Sequence, residues 1–284
     1  MNTSIQRLLL FAITLPLAAA MILLVPYRNH LIVNISAVVL SALGSMEFGM
    51  LLQKRGRAVH PLEALALGSL APLGITLQVS FGVHPALFPA LLAAGAAWPL
   101  ISPVFSPAGA FKDAIHAMAA GFSTLIYPGL FMLWIIRMAQ FAHAGIIILV
   151  FLLMVVGNDS SAWAAGMLFG KGNRGIIPVS PNKSLAGFIG GMFTALLVGA
   201  AAVFLTPQAF VCKKIPSLAA GILLGAGSGI AANLGDLAES VMKRSVDVKD
   251  SGFIVPGRGG ILDSIDSIAF ASPVFYGLYW FFFA

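Results

Sequence analysis

Charge is what this sequence has least of. Only 9% of its 284 residues are Asp, Glu, Lys or Arg, against about 25% in an ordinary water-soluble domain. A chain so poor in charge cannot cover a surface facing water. With 59% hydrophobic residues and a mean hydropathy of +0.97, lipid must be the solvent for most of its length. Cysteine is nearly absent: Cys212 is the single one, which excludes an intrachain disulfide and a Cys-based metal cluster. The five histidines, His30, His60, His84, His116 and His143, are far apart, and no pair has ligand spacing. Long polar stretches are missing too, so no soluble domain fits between apolar segments. The net charge of +6 is therefore read against a membrane, not a nucleic acid.

What is present is a succession of apolar runs. A window of about 19 residues finds nine, at 8–26, 31–52, 62–80, 85–104, 115–136, 144–168, 185–206, 216–238 and 264–283. The first continues through Val25, too long for the core of a cleaved signal peptide, and reads as a membrane helix. The third and fourth contain Pro and Gly and could instead form a hairpin or be partly re-entrant. The expected fold is an all-α polytopic membrane protein of about nine transmembrane helices. Residues 1–143 are expected to form its N-terminal part, and 144–284 a C-terminal transmembrane region with two polar loops. With the N-terminus inside, the inner loops collect Arg7, Lys54, Arg55, Arg57, Lys112, Lys171, Arg174, Lys183, Lys243, Arg244, Lys249 and Arg258, which is 12 of the 16 Lys and Arg. The positive-inside rule then predicts a cytoplasmic N-terminus and an outer C-terminus. None of the ten Asp and Glu falls in a predicted outer loop.

The two polar stretches meet that same inner face, at 157–191 and 235–267. Asp159 lies within the sixth span, Asp236 and Glu239 end the eighth, and Asp263 and Asp266 open the ninth. An ionised carboxylate in a span costs at least a few kcal/mol, about 2.5–3.5 by insertion scales, and is rarely accidental. Asp263 and Asp266, three apart, share a helical face. Several short acids with room for water suit Mg²⁺; the plainer reading of Asp263 is a helix cap. Lys171, Arg174, Lys183, Lys243, Arg244, Lys249 and Arg258 surround the acids. They fit either anchoring at anionic headgroups or the outer oxygens of a metal-bound polyphosphate. In "PGRGG", Gly259 and Gly260 permit close backbone approach. In "VSPNKS", Ser180, Lys183 and Ser184 stand before a helix start, a good place for a phosphate. Glu47 could join such a site or pair with a base such as Lys54. Gly221, Gly225 and Gly229 form a small-residue stripe for helix packing, within the chain or between copies.

These residues resemble the signature of the phosphatidate cytidylyltransferases (CDP-diglyceride synthases). The family pattern of Ser-x-apolar-Lys-Arg, Lys-Asp, Pro-x-His-Gly-Gly and Asp-Arg-x-Asp stands here as Ser240, Lys243, Arg244, Lys249, Asp250 and "PGRGGILDSID". "GDLAES", "NDSSAWAAGMLFGK" and "SPNKSLAGFIGG" match further family stretches, so the likeness covers roughly the C-terminal half. It implies an enzyme joining CTP and phosphatidic acid into CDP-diacylglycerol and pyrophosphate. It implies Mg²⁺, with Mn²⁺ as an alternative, held by Asp236, Asp263 and Asp266, and a K⁺ ion close by. Lys243 and Arg244 join those acids in the catalytic set. Substrate contacts fall to Asp159, Ser180, Lys183, Ser184, Glu239, Ser240, Lys249, Asp250, Arg258, Gly259 and Gly260. Membrane lipid is the implied partner, a homodimer through the glycine stripe stays open, and the site is expected on the cytoplasmic face of the cell (inner) membrane. Four positions depart from the family: Arg258 for His, Ser264 for Arg, Ser184 for Thr and Trp163 for Tyr. Arg258 could supply the cation missing at Ser264.

Three other readings compete. A related CTP-using lipid enzyme, such as a polyprenol kinase or an archaeal-type lipid cytidylyltransferase, would share the fold and differ in acceptor. A transporter would use buried acids and helix-end Gly and Pro at mid-membrane, but these acids cluster toward one face and no inverted repeat is evident. A catalytically silent lipid-binding scaffold would not bind CTP.

Overall fold

The computed structural model describes residues 3–54, 56 and 59–284; Arg55 and Arg57 of the charge count lie outside the described residues. All regular structure among these residues is helical. Ten α-helices follow one another: α1 Thr3–Leu24, α2 Tyr27–Gln53, α3 Pro61–Phe81, α4 Leu87–Ile101, α5 Ala114–Thr124, α6 Phe131–Met138, α7 Ala144–Phe169, α8 Leu185–Leu205, α9 Ser217–Ser245 and α10 Leu262–Phe283. Helical segments stand at all nine predicted places. Seven are long and apolar enough to cross a membrane, including α3 with 21 residues and the α4 segment to Phe105 with 19. The first adds a shorter apolar stretch, Ile13–Leu24. The last, α10, carries Asp, Ser, Tyr and Trp that lower its mean hydropathy. The chain is an all-α polytopic membrane protein.

Two segments differ from the expected spans for local reasons. The fifth is broken where Tyr127 takes an extended conformation (φ −123°, ψ 122°) before Pro128, as the proline ring disfavours helical geometry in the residue preceding it. The eighth runs on to Ser245 instead of ending near residue 238. Its extra turns are supported by an ion pair between Glu239 and Lys243, one turn apart, and by Lys243 and Arg244 at the negative end of the helix dipole.

The helices divide into two compact units, Met1–Arg137 with Ser245–Ile265, and Met138–Arg244 with Asp266–Ala284. In the first, α2 and α3 pack as a close pair. Gly49 faces Ala64, where an added Cβ would lie 2.7 Å from the alanine methyl, and Ser41 Oγ donates to the Gly68 carbonyl at 2.9 Å. Near the other end of the pair, the buried Asn34 amide donates to Ser80 Oγ at 3.0 Å. In the second unit, α7 pairs with α8 through small residues. A Cβ on Gly187 would stand 2.8 Å from the Ala162 carbonyl, and one on Gly190 2.5 Å from the Ala165 methyl. The stripe of Gly221, Gly225 and Gly229 packs within the chain: Gly221 lies against the backbone of Gly199, Gly225 against that of Ala195, and Gly229 against the Ala195 methyl. Phe151, Phe210, Phe275 and Tyr279 make the aromatic centre of this unit, and the Tyr279 hydroxyl donates to Ala209 O at 2.7 Å.

Candidate active site

The second unit gathers acids and bases from α7, α8, α9 and α10. Asp266, 6% exposed, accepts from the Ser267 amide at 2.6 Å. Ser267 also bonds to Asp159, and Gly235, the residue before Asp236, packs against the Asp266 carbonyl, where an added Cβ would lie 2.7 Å away. Asp236 forms an ion pair with Lys183 at 2.6 Å. Lys183 comes from the turn preceding α8, where Lys183 N donates to Ser180 O at 3.0 Å. That turn hands over to the helix through Ser184, the N-cap of α8, whose Oγ accepts from Gly187 N at 3.1 Å. The close contact of α8 with α9 thus sets a lysine from one helix start against an aspartate on the next helix. Glu239, fully buried, pairs with Lys243, and Ser240 is buried beside it. Arg244 is exposed.

Two asparagines join this cluster that sequence reasoning did not single out. Asn158, fully buried on α7, donates to Asn233 Oδ1 on α9 at 3.2 Å. Asp159 beside it accepts from Ser267 Oγ at 3.4 Å. The available signal was a polar amide inside an apolar span, which needs a partner there. Arg174 serves the local backbone, its guanidinium donating to Gly166 O near the end of α7 at 3.1 Å.

The first unit holds a second polar cluster, built by the loop between α9 and α10. Glu47, on α2 and 2% exposed, accepts from Ile261 N at 3.0 Å, Leu262 N at 2.9 Å and Ser251 Oγ at 2.9 Å. It therefore satisfies the amides that open α10. One oxygen of Asp263 accepts from Ser251 N at 2.8 Å and Gly260 N at 2.7 Å, and lies 2.9 Å from Ser251 Oγ. The glycines of "PGRGG" fit around these carboxylates. Gly259 has φ +110°, and a Cβ there would come 2.7 Å from Asp263 Oδ2; Gly260 abuts both Ser251 Oγ and Glu47. A tight turn closes the loop tip, with Val255 N donating to Gly259 O at 2.8 Å. Arg258 sits half-buried on this turn, while Lys249 and Asp250 are exposed on the approach to it. Ser264, at the position of the family Arg, donates back to Gly260 O at 3.1 Å.

The site residues read from the sequence thus fall into two groups. Asp159, Lys183, Glu239, Lys243 and Asp266 cluster with Asp236 in one unit, while Asp263, Gly259 and Gly260 are bound up with Glu47 and Ser251 in the other. Among the described residues, no three His, Cys, Asp or Glu side chains stand close enough to form a metal cage by themselves.

Comparison with known proteins agrees with the sequence resemblance and widens it. The chain is 35% identical over 175 residues to a phosphatidate cytidylyltransferase of Haemophilus influenzae, covering 60% of this chain and 59% of that protein. It is 38% identical over 162 residues to the phosphatidate cytidylyltransferase of Bacillus subtilis, covering 56% of this chain and 57% of the relative. A Staphylococcus aureus protein of the same name is 40% identical over 124 residues, 43% of this chain and 44% of that one. The chain therefore spans under two thirds of the length of the curated relatives it matches. The model of the cytidylyltransferase family matches residues 5–282, which takes in the N-terminal half as well as the motif-bearing C-terminal half. The chain belongs to the cytidylyltransferase family.

Proposed function

We propose that this protein is a CTP:phosphatidate cytidylyltransferase working on the cytoplasmic face of the membrane. A phosphate oxygen of phosphatidic acid attacks the α-phosphorus of CTP. The bond from that phosphorus to the oxygen bridging to the β-phosphate breaks, and pyrophosphate leaves with the electron pair. The products are CDP-diacylglycerol and pyrophosphate. The lipid phosphate is already an anion at neutral pH, so no side-chain nucleophile or general base is required.

The observation that carries this reading is the buried Asp266 beside Asp159 and Asp236: Ser267 bonds to both Asp266 and Asp159, and Gly235, next to Asp236, packs against the Asp266 carbonyl. Acids gathered around a buried carboxylate call for positive charge, and Lys183 and Lys243 supply two charges for four acids once Glu239 is counted. The donors are hard oxygens with one partly open member, Asp236, whose side chain is 38% exposed. That set fits Mg²⁺, which takes one or two carboxylates and fills its remaining positions with water and substrate phosphate. Asp236 and Asp266 would hold it, and when bound it would draw negative charge off the reacting phosphates. Lys183, already at the mouth of α8, would reach the polyphosphate, and Lys243 would stabilise charge building on the leaving group. Asn158 and Ser267 orient Asp159 and limit its motion. Asp263 holds the loop over α10 through its bonds to Ser251 and Gly260, with K⁺ and Mn²⁺ resting on the family resemblance alone.

The test is conversion of labelled CTP into lipid-soluble product by purified protein with phosphatidic acid in mixed micelles and Mg²⁺. Lipid-soluble label together with pyrophosphate, both lost in Asp266→Asn, is the expected result. Release of CDP with a phosphorylated lipid would instead assign a lipid kinase. No product from folded protein over a full range of metal would sink the proposal.

A further inference from the structure

The loop between α9 and α10 closes over two carboxylates of the neighbouring helices, Glu47, which is buried, and Asp263, one oxygen of which is taken by the Ser251 and Gly260 amides, while its own Asp247 and Asp250 are exposed. Its large apolar side chains face outward: Phe253 is 93% exposed and Ile254 52% exposed. Water alone would select the opposite arrangement. Phe253 and Ile254 also stand in the run leading from Lys249 to Arg258, so a basic residue lies on either side of them, with the exposed Asp250 next to Lys249.

The depth of the loop follows from its anchor. Glu47 lies within α2, six residues before that membrane-crossing helix ends at Gln53, or about 9 Å along the axis at 1.5 Å per residue. Ser251 and Ile261 both bond to this side chain. Phe253 is two residues from Ser251, a reach of at most about 7 Å. The loop is thus tethered at the edge of the apolar slab rather than projecting freely into the cytoplasm. The Val255–Gly259 turn fixes its tip. A fixed tip with an aromatic ring, an aliphatic neighbour and flanking cations matches the chemistry of the boundary between acyl chains and anionic headgroups.

We propose that Phe253 and Ile254 form an interfacial anchor that dips into the anionic leaflet, with Lys249 and Arg258 at the level of the lipid phosphates. The anchor holds the loop against the membrane whether or not substrate is present. It is independent of the catalytic reading, since it concerns where the loop sits and not what the site does.

The test begins by removing the protein's single cysteine. In a Cys212→Ser background, Phe253→Cys and, separately, Ile254→Cys carry a nitroxide spin label in nanodiscs of phosphatidylglycerol and phosphatidylcholine. The expected result is a label at residue 253 relaxed more by oxygen, which partitions into lipid, than by a water-soluble nickel chelate. The depth should decrease when phosphatidylglycerol is left out. Preferential relaxation by the nickel chelate at both positions would overturn the proposal. So would spin–spin broadening that disappears on dilution with unlabelled protein, because a second copy of the chain would then cover the patch. Neither readout depends on CTP turnover, so a failed activity assay leaves this result intact.

Discussion

Replacing Glu47 by Gln probes the bond between α2 and the start of α10 with the smallest change in shape. In the native protein Oε1 accepts from Ile261 N, and Oε2 accepts from Leu262 N and Ser251 Oγ. Glutamine turns one oxygen into an amide NH₂. In one orientation that group faces the Ile261 N–H, in the other the Leu262 N–H, so one amide is left opposite a donor. A hydrogen bond to a charged group contributes about 1.5–3 kcal/mol. Losing one should ease local opening of the first turn of α10 by about 2 kcal/mol, and with every 1.4 kcal/mol a tenfold factor, amide exchange there should speed up by ~30-fold if opening limits it. Glu47→Ala removes both acceptor oxygens and all three bonds and should take the segment toward the exchange rate of an open loop. Hydrogen–deuterium exchange of peptides spanning residues 249–265, read by mass spectrometry in nanodiscs, measures this directly. Peptides from α8 and α9 serve as internal controls. Unchanged exchange in both variants, with the protein folded, would refute the claim that Glu47 pins this loop.

Further expected outcomes concern the acidic cluster and the helix contacts. Lys183→Met should raise the CTP concentration needed for half-maximal rate while costing under about 1 kcal/mol of stability, because the pair with Asp236 is partly solvated; a thermal melt beside the kinetics separates the two. Asn158→Leu removes the link to Asn233 and should lower the rate without abolishing lipid-soluble product, whereas full activity would show that Asp159 needs no orientation. Arg258→Ala tests whether Arg258 supplies the cation missing at Ser264: activity should fall, with Ser264→Arg restoring part of it, and full activity in Arg258→Ala would end that idea. Gly225→Val would drive a branched side chain into the Ala195 backbone and should destabilise by about 1–3 kcal/mol or more, seen as a lower melting temperature in detergent.

The sequence disclosed the helices well, because nine apolar runs are a strong one-dimensional signal and lipid permits few other solutions. Asp236, Asp266 and Asp159 stood out for the same reason: acids are conspicuous against so apolar a background. Glu47 stood out too, but its role was hidden, since its partners lie more than 200 residues further along the chain. The spacing reads Gly259 and Gly260 as room for a phosphate; the structure adds that Asp263 and Glu47 also pack against them, which spacing does not reveal. The spacing reads Ser184 as a phosphate contact; the structure adds its role as the N-cap of α8. Both functions draw on the same small polar vocabulary, so spacing alone cannot separate them. The overlong α9 was missed because a hydropathy window ends where charge begins, although a helix with a salt-bridged last turn does not.

The seam between α8 and α9 has one further consequence. Gly199, Gly221 and Gly225 bring two main chains together with almost no side chain between them, so peptide groups rather than rotamers set the spacing of the pair. Asp236 lies 11 residues beyond Gly225, about 16 Å along the same rigid rod, and Lys183 stands just before the other rod begins. The glycines therefore act as a ruler for the 2.6 Å contact between Lys183 and Asp236. A single methyl group added to the seam would be felt at the charged end as a change of gauge, far from where it was introduced.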